Sequence, residues 1–202
     1  SIRETNAKNS IERMSGGSNT ADLCTVTDNG LGDGDWRKHV VTHYPSSGLI
    51  KLDVYLPNGT KLGSCSTTDT THEGGTIGAT AYRGVDHYID ELRIKKVSGS
   101  WTSQWMKWPE NNYEGPEPVA RWEFSRGAGQ TVRDTEGDND GMLGGSTSYE
   151  SSDPTWEQDC RTDGCMKFNG ANDWISASSV HFEVRAAINS WYKAVKYPSG
   201  RN

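Results

Sequence analysis

The chain lacks any run of eighteen apolar residues, so no stretch of it reads as a membrane-spanning helix. Apolar residues are scarce throughout: 32% of its 202 residues are hydrophobic. Positive charge is also in short supply. The formal net charge is −6, and the lysines and arginines are dispersed rather than gathered into a stripe. That excludes a nucleic-acid partner, which would need a basic face. What the chain holds instead is glycine, 23 residues of it, with eight tryptophans and eight tyrosines. Disordered chains are poor in large aromatics, so this one folds. Abundant glycine with a modest apolar content fits many short strands joined by turns better than a helical protein. The length allows one large β-sandwich or two small domains.

There are four cysteines, Cys24, Cys65, Cys160 and Cys165, and three pairings are possible. Zinc needs a compact ligand set. Only Cys160 and Cys165 are close, with no matching pair or histidine beside them. The short Arg161-Thr162-Asp163-Gly164 segment between them favours a local bridge, which leaves Cys24 to pair with Cys65. Two disulfides imply an extracellular or cell-surface location. Asn58-Gly59-Thr60 is a glycosylation sequon at Asn58, its alternative being an ordinary Asn-Gly turn.

Periodicity supplies the strands. Ile50, Leu52, Val54 and Leu56 alternate with Lys51, Asp53 and Tyr55, and the Asn58-Gly59 turn leads into a return strand over 61–66. Residues 36–44, 88–94, 119–124, 166–168 and 174–176 also read as strands. Residues 186–195 are ambiguous between helix and strand by periodicity alone. Residues 98–118 hold three tryptophans and three of the seven prolines. They read as an ordered, extended strap. No internal repeat stands out.

Four stretches carry a resemblance. Ala120-Arg121-Trp122-Glu123-Phe124 with the turn from Asp134 to Leu143 looks like an opening strand and its turn. Cys165 to Ile175, containing Phe168-Asn169-Gly170-Ala171-Asn172-Asp173-Trp174, looks like a hairpin. Asp35-Trp36-Arg37-Lys38-His39-Val40-Val41 and Ile89-Asp90-Glu91-Leu92-Arg93-Ile94 look like two later strands. Together they resemble the laminin-G-like (concanavalin-A-like) jelly-roll family. The resemblance implies an all-β, two-sheet antiparallel sandwich with its halves in reversed order. Residues 119–202 match the family's first half, 98–118 form the strap, and 1–97 match its second half. Ala187-Ile188-Asn189-Ser190-Trp191-Tyr192-Lys193 resembles a family strand that continues, across the termini, into Ile11 to Gly17. The order fits a circular permutation, one period of a tandem array, or halves completed by a neighbouring chain.

The resemblance also implies where function lies. Trp36, Trp122, Trp174 and Trp191 fall on core positions of the family. Trp101, Trp105, Trp108 and Trp156 do not, and are candidates to contact a glycan or a neighbouring subunit. Relatives hold a structural calcium between the opening loop and the closing strand, which points to Asp134, Asp138 and Asp90; hard cations take oxygen ligands. A jelly-roll glucanase would carry carboxylates two residues apart on one strand face. Here Asp90 and Glu91 are adjacent, which in a regular strand sends them to opposite faces. The expectation is therefore a non-enzymatic structural or adhesive domain, self-associating head to tail in a surface filament. A carbohydrate-binding module is the first alternative and a glycan hydrolase or lyase the second.

Overall fold

The computed structural model describes residues 2–5, 8–15, 18–28, 34–44, 46–70, 78–80, 86–96, 118–177 and 186–194. Fifteen strands and no helix occur among them, and every pairing is antiparallel. The protein is thus all-β, as its composition implies. No described helix is long and apolar enough to cross a membrane.

The strands form three sheets. A meander holds β1 (Ile2–Thr5), β2 (Lys8–Ser15) and β3 (Ser18–Thr27). A four-stranded sheet runs in the order β10 (Thr131–Val132), β11 (Gly141–Leu143), β14 (Trp174–Ala177) and β7 (Gly78–Thr80). The large sheet runs β12 (Thr155–Glu157), β13 (Cys165–Phe168), β8 (His87–Lys96), β15 (Ala186–Ala194), β4 (Trp36–Tyr44), β5 (Leu49–Tyr55) and β6 (Lys61–Thr68). An eighth strand, β9 (Ala120–Trp122), also pairs with β8. Within the ambiguous segment, Ala186–Ala194 is therefore a strand, held on one side by β4 and on the other by β8.

β8 is the hinge of this topology. It comes from the first half of the chain, yet β13, β9 and β15, its three partners, all come from the second. β13 pairs with its beginning, Met166 opposite Ile89, and β9 with its end, Ala120 opposite Ile94.

Two hydrophobic clusters lie on one face of the large sheet. The first gathers Ile94, Trp122, Phe124, Met166 and Phe168 with Val132, Leu143 and Ile175 of the four-stranded sheet. The second gathers Leu52 and Val54 with Ile11 and Val26 of the meander. Ile188 packs on the first cluster and Val41 on the second, and the two are cross-strand partners. The small sheets therefore cover adjacent parts of the same face. A row of stacked rings, His39–Tyr192–His87–Phe168, crosses four strands with centroids 5.6, 5.1 and 5.1 Å apart.

Both expected disulfides are present, Cys24–Cys65 and Cys160–Cys165. The first ties β3 to β6. Gly63 permits that approach, because a Cβ there would lie 2.6 Å from Val26 Cγ1. The β5–β6 turn places exposed Asn58 and Thr60 at its tip, with the Thr60 amide donating to Asn58 Oδ1 at 2.9 Å and Gly59 in the left-handed region.

Candidate functional site

Regular alternation fails inside β8. Opposite β15 the register slips between Asn189 and Trp191, which face Arg93 and Asp90, so β8 carries one residue more than its partner. Glu91, with φ of 52°, is in the left-handed region at this bulge. Ile89 and Leu92, three positions apart, both pack on the first core cluster. Asp90 and Glu91 therefore both turn to the opposite face of the sheet. This corrects the expectation that adjacency would separate them: the extra residue resets the two-residue period.

On that face the bulge meets the Cys160–Cys165 loop. Thr162 donates its amide to Asp90 Oδ2 at 2.9 Å, and its hydroxyl lies 3.0 Å from both carboxylate oxygens. Burial raises the Asp90 pKa to about 6; the Thr162 bonds pull it down and the neighbouring Glu91 charge pushes it up. Glu91 is buried and fully engaged. Arg93 gives Nε and Nη2 to its Oε2 at 2.8 and 2.6 Å, and Arg121 Nη2 stands 3.3 Å from Oε1. The same Arg121 nitrogen lies 2.8 Å from Glu123 Oε1.

A cleft of about 330 Å³ opens here, lined by Glu91, Arg121, Glu123, Ser125, Arg161, Thr162 and Asp163. Its walls are fixed in advance. Arg161 is held over the buried Trp191 ring, 4.8 Å from the centroid. Phe124, between two lining residues, also has a left-handed backbone, φ 58°. Among the described residues, Glu91 and Phe124 are the only non-glycine residues with positive φ, and both stand at this cleft. Strain of that kind persists where the surroundings impose it and gathers at functional sites. Gly164 is what allows the loop to close on Phe124: a Cβ there would meet the Phe124 carbonyl oxygen at 2.5 Å.

The residues singled out from sequence are distributed differently. Asp134 organises its own turn, accepting from the amides of Arg121, Glu136 and Gly137 through Oδ1, and from the amide and Nδ2 of Asn139 through Oδ2. Burial works to raise its pKa, and these donors outweigh burial and hold it below the usual carboxylate range. Asp138 is exposed, and Asp90 is bound by Thr162. Among the described residues no three His, Cys, Asp or Glu side chains are grouped to hold a metal. Trp156 is half-buried, packs on the first cluster and donates Nε1 to Gly129 O at 2.9 Å. Trp122 is a core residue as expected, while Trp191 is buried beneath Arg161 on the other face. Trp101, Trp105 and Trp108, and the junction between residues 202 and 1, lie outside the described residues.

Arg121, Glu123, Arg161 and Thr162 were given no functional role from sequence, and Glu91 was weighed only as the carboxylate next to Asp90. One signal was there: Ile89, Leu92 and Ile94 are spaced three and then two, a broken alternation that marks a bulge. Comparison with protein-family models, with curated proteins and with solved structures found no match to this chain.

Proposed function

We propose that the chain is a non-catalytic, extracellular, two-layer sandwich of the laminin-G-like jelly-roll kind, a structural or adhesive unit that joins others head to tail. The observation that carries the reading is the seat of β8 between β13 and β9 on one edge and β15 on the other. Without β8, the strands of 119–194 expose long unpaired edges, and such edges are filled by any matching strand. The same hydrogen bonds form whether β8 comes from the same chain or from the next one. The two disulfides favour an oxidising location. The engagement of Glu91 by two arginines and of Asp90 by Thr162 favours a non-catalytic role.

Tyr88 and Lys167 are register partners across β8 and β13. A Tyr88→Cys, Lys167→Cys double variant, oxidised at rising protein concentration, tests the joining. Head-to-tail exchange yields a ladder of cross-linked oligomers. A cross-link confined to the monomer at every concentration overturns it. A second reading, carbohydrate binding, is favoured by the cleft at the bulge, whose lining residues are all polar or charged.

A further inference from the structure

We infer that Asn58 is an acceptor for an N-linked glycan, and that the glycan shields the free edge of the large sheet. The inference rests on the extracellular reading and is independent of head-to-tail joining.

Asn58-Gly59-Thr60 meets the acceptor pattern, asparagine and threonine with one intervening residue that is not proline. An ordinary Asn-Gly turn would share that pattern, so the surroundings carry the argument. Pro57, Asn58, Gly59, Thr60 and Lys61 are all exposed, and a Cβ on Gly59 would meet nothing within 4 Å. The tip therefore stands clear of the sandwich, with room for a bulky group. The Thr60 amide donates to Asn58 Oδ1 at 2.9 Å, while Asn58 Nδ2 makes no hydrogen bond to a described residue. Asn139, Asn169 and Asn172, by contrast, donate Nδ2 to Asp134 Oδ2, Asn172 Oδ1 and Ser151 O. Glycan transfer joins Asn58 Nδ2 to the anomeric carbon of a lipid-linked glycosyl pyrophosphate. The bond from that carbon to the pyrophosphate oxygen breaks, and one Nδ2 proton is released.

The place of the hairpin gives the glycan its use. β6 ends the large sheet and pairs with β5 alone among the described strands. A free edge is a template for another strand, and proteins blunt such edges with charge, proline or a bulge. β6 has these devices only where it begins: Lys61, and the register shift where Tyr55 and Val54 face Lys61 and Gly63. From Leu62 to Thr68 it holds neither charge nor proline. Asn58 stands just ahead of Lys61, at the head of this edge. A bulky, hydrated glycan there hinders the approach of a second chain along β6.

The test expresses the full chain with a secretion signal in a cell that makes N-linked glycans. Intact mass is read before and after treatment with peptide N-glycosidase. The wild type is expected to lose the mass of a glycan on treatment. Thr60→Ser should keep the glycan, and Asn58→Gln and Thr60→Val should lack it. Thiol titration of the same samples separates the two ways of failing. Secreted protein with both disulfides formed and no glycan overturns the acceptor site and keeps the extracellular reading. A chain retained in the cell with free thiols overturns both. Sedimentation then tests the shield. The treated wild type should self-associate at lower concentration than the glycosylated protein, and Asn58→Gln, which adds no charge at the tip, should do the same. Identical sedimentation of all three at every concentration overturns the shield and leaves the acceptor site standing.

Discussion

Thr162 binds Asp90 through both its amide and its hydroxyl, although 72 positions separate them in the chain. The pair fastens the disulfide loop to the bulge of β8. It also sets a pH dependence. Asp90 has a folded pKa raised to about 6, so the folded protein holds this proton more tightly than the unfolded chain. The raised value makes stability fall as pH rises from about 4 through 6, and the effect is complete above that window. Thr162→Val removes the hydroxyl donor to the charged form and keeps the amide. It should push the Asp90 pKa higher still, which carboxyl-carbon NMR titration will show as a midpoint moved to higher pH.

His39 acts in the same window with the opposite sign. It is buried, bonded through Nε2 to Asn9 Oδ1 at 2.8 Å, and burial lowers its pKa to about 4. Its stabilising effect is complete above the ordinary value of 6.5 and is lost as pH falls toward 4. The two residues therefore offset one another in the wild type. Asp90→Asn leaves the histidine effect unopposed, so the melting temperature of that variant should fall more steeply on acidification than that of the wild type.

His39→Phe keeps a ring against Tyr192 but strands the buried Asn9 oxygen. The expected cost is about 1–3 kcal/mol at neutral pH. Chemical denaturation at pH 7 and pH 5 checks it: the loss should be smaller at the lower pH, because the histidine's own acid penalty has gone with it.

The disulfides should differ in worth. They close separations of 41 and 5 residues. Loop-closure entropy gives about 4 kcal/mol for Cys24–Cys65 and about 2 kcal/mol for Cys160–Cys165. Paired serine variants, compared by denaturant midpoint, should show that order.

Gly164→Ala places a methyl against backbone that cannot swing aside, with the Phe124 carbonyl carbon at 3.3 Å and its oxygen closer still. Overpacking of this kind costs about 1–3 kcal/mol. Thermal melting should fall accordingly, and an unchanged midpoint would mean that the loop relaxes freely.

Much of the fold was legible in the residues. The alternation over Leu49–Tyr55 placed Leu52 and Val54 in the core, and the Asn58-Gly59 turn paired β5 with β6. The same alternation put Asp53 and Tyr55 outward, and they do leave that core, yet both are buried; a two-residue period reports which side a residue faces, never what covers that side. Lys51 and Lys61 pair with Asp53 there. The short strands β11 and β12 were missed because three residues carry too little period to read. The cleft was hidden for another reason. It depends on one inserted residue in β8 and on contacts between segments far apart in sequence. Asp90 was singled out for calcium, and Thr162 was seen only as filler between two cysteines.

The position of β8 has a kinetic consequence. During synthesis this strand emerges before β9, β13 and β15, all three of its partners. β4, β5 and β6 can zip into hairpins as soon as they leave the ribosome, while β8, which ends at Lys96, must wait for β9 from Ala120, β13 from Cys165 and β15 from Ala186. Pairings of that range are slow to nucleate. Folding should therefore end with β15 closing between β4 and β8, and until then β8 is the segment most exposed to capture by another chain.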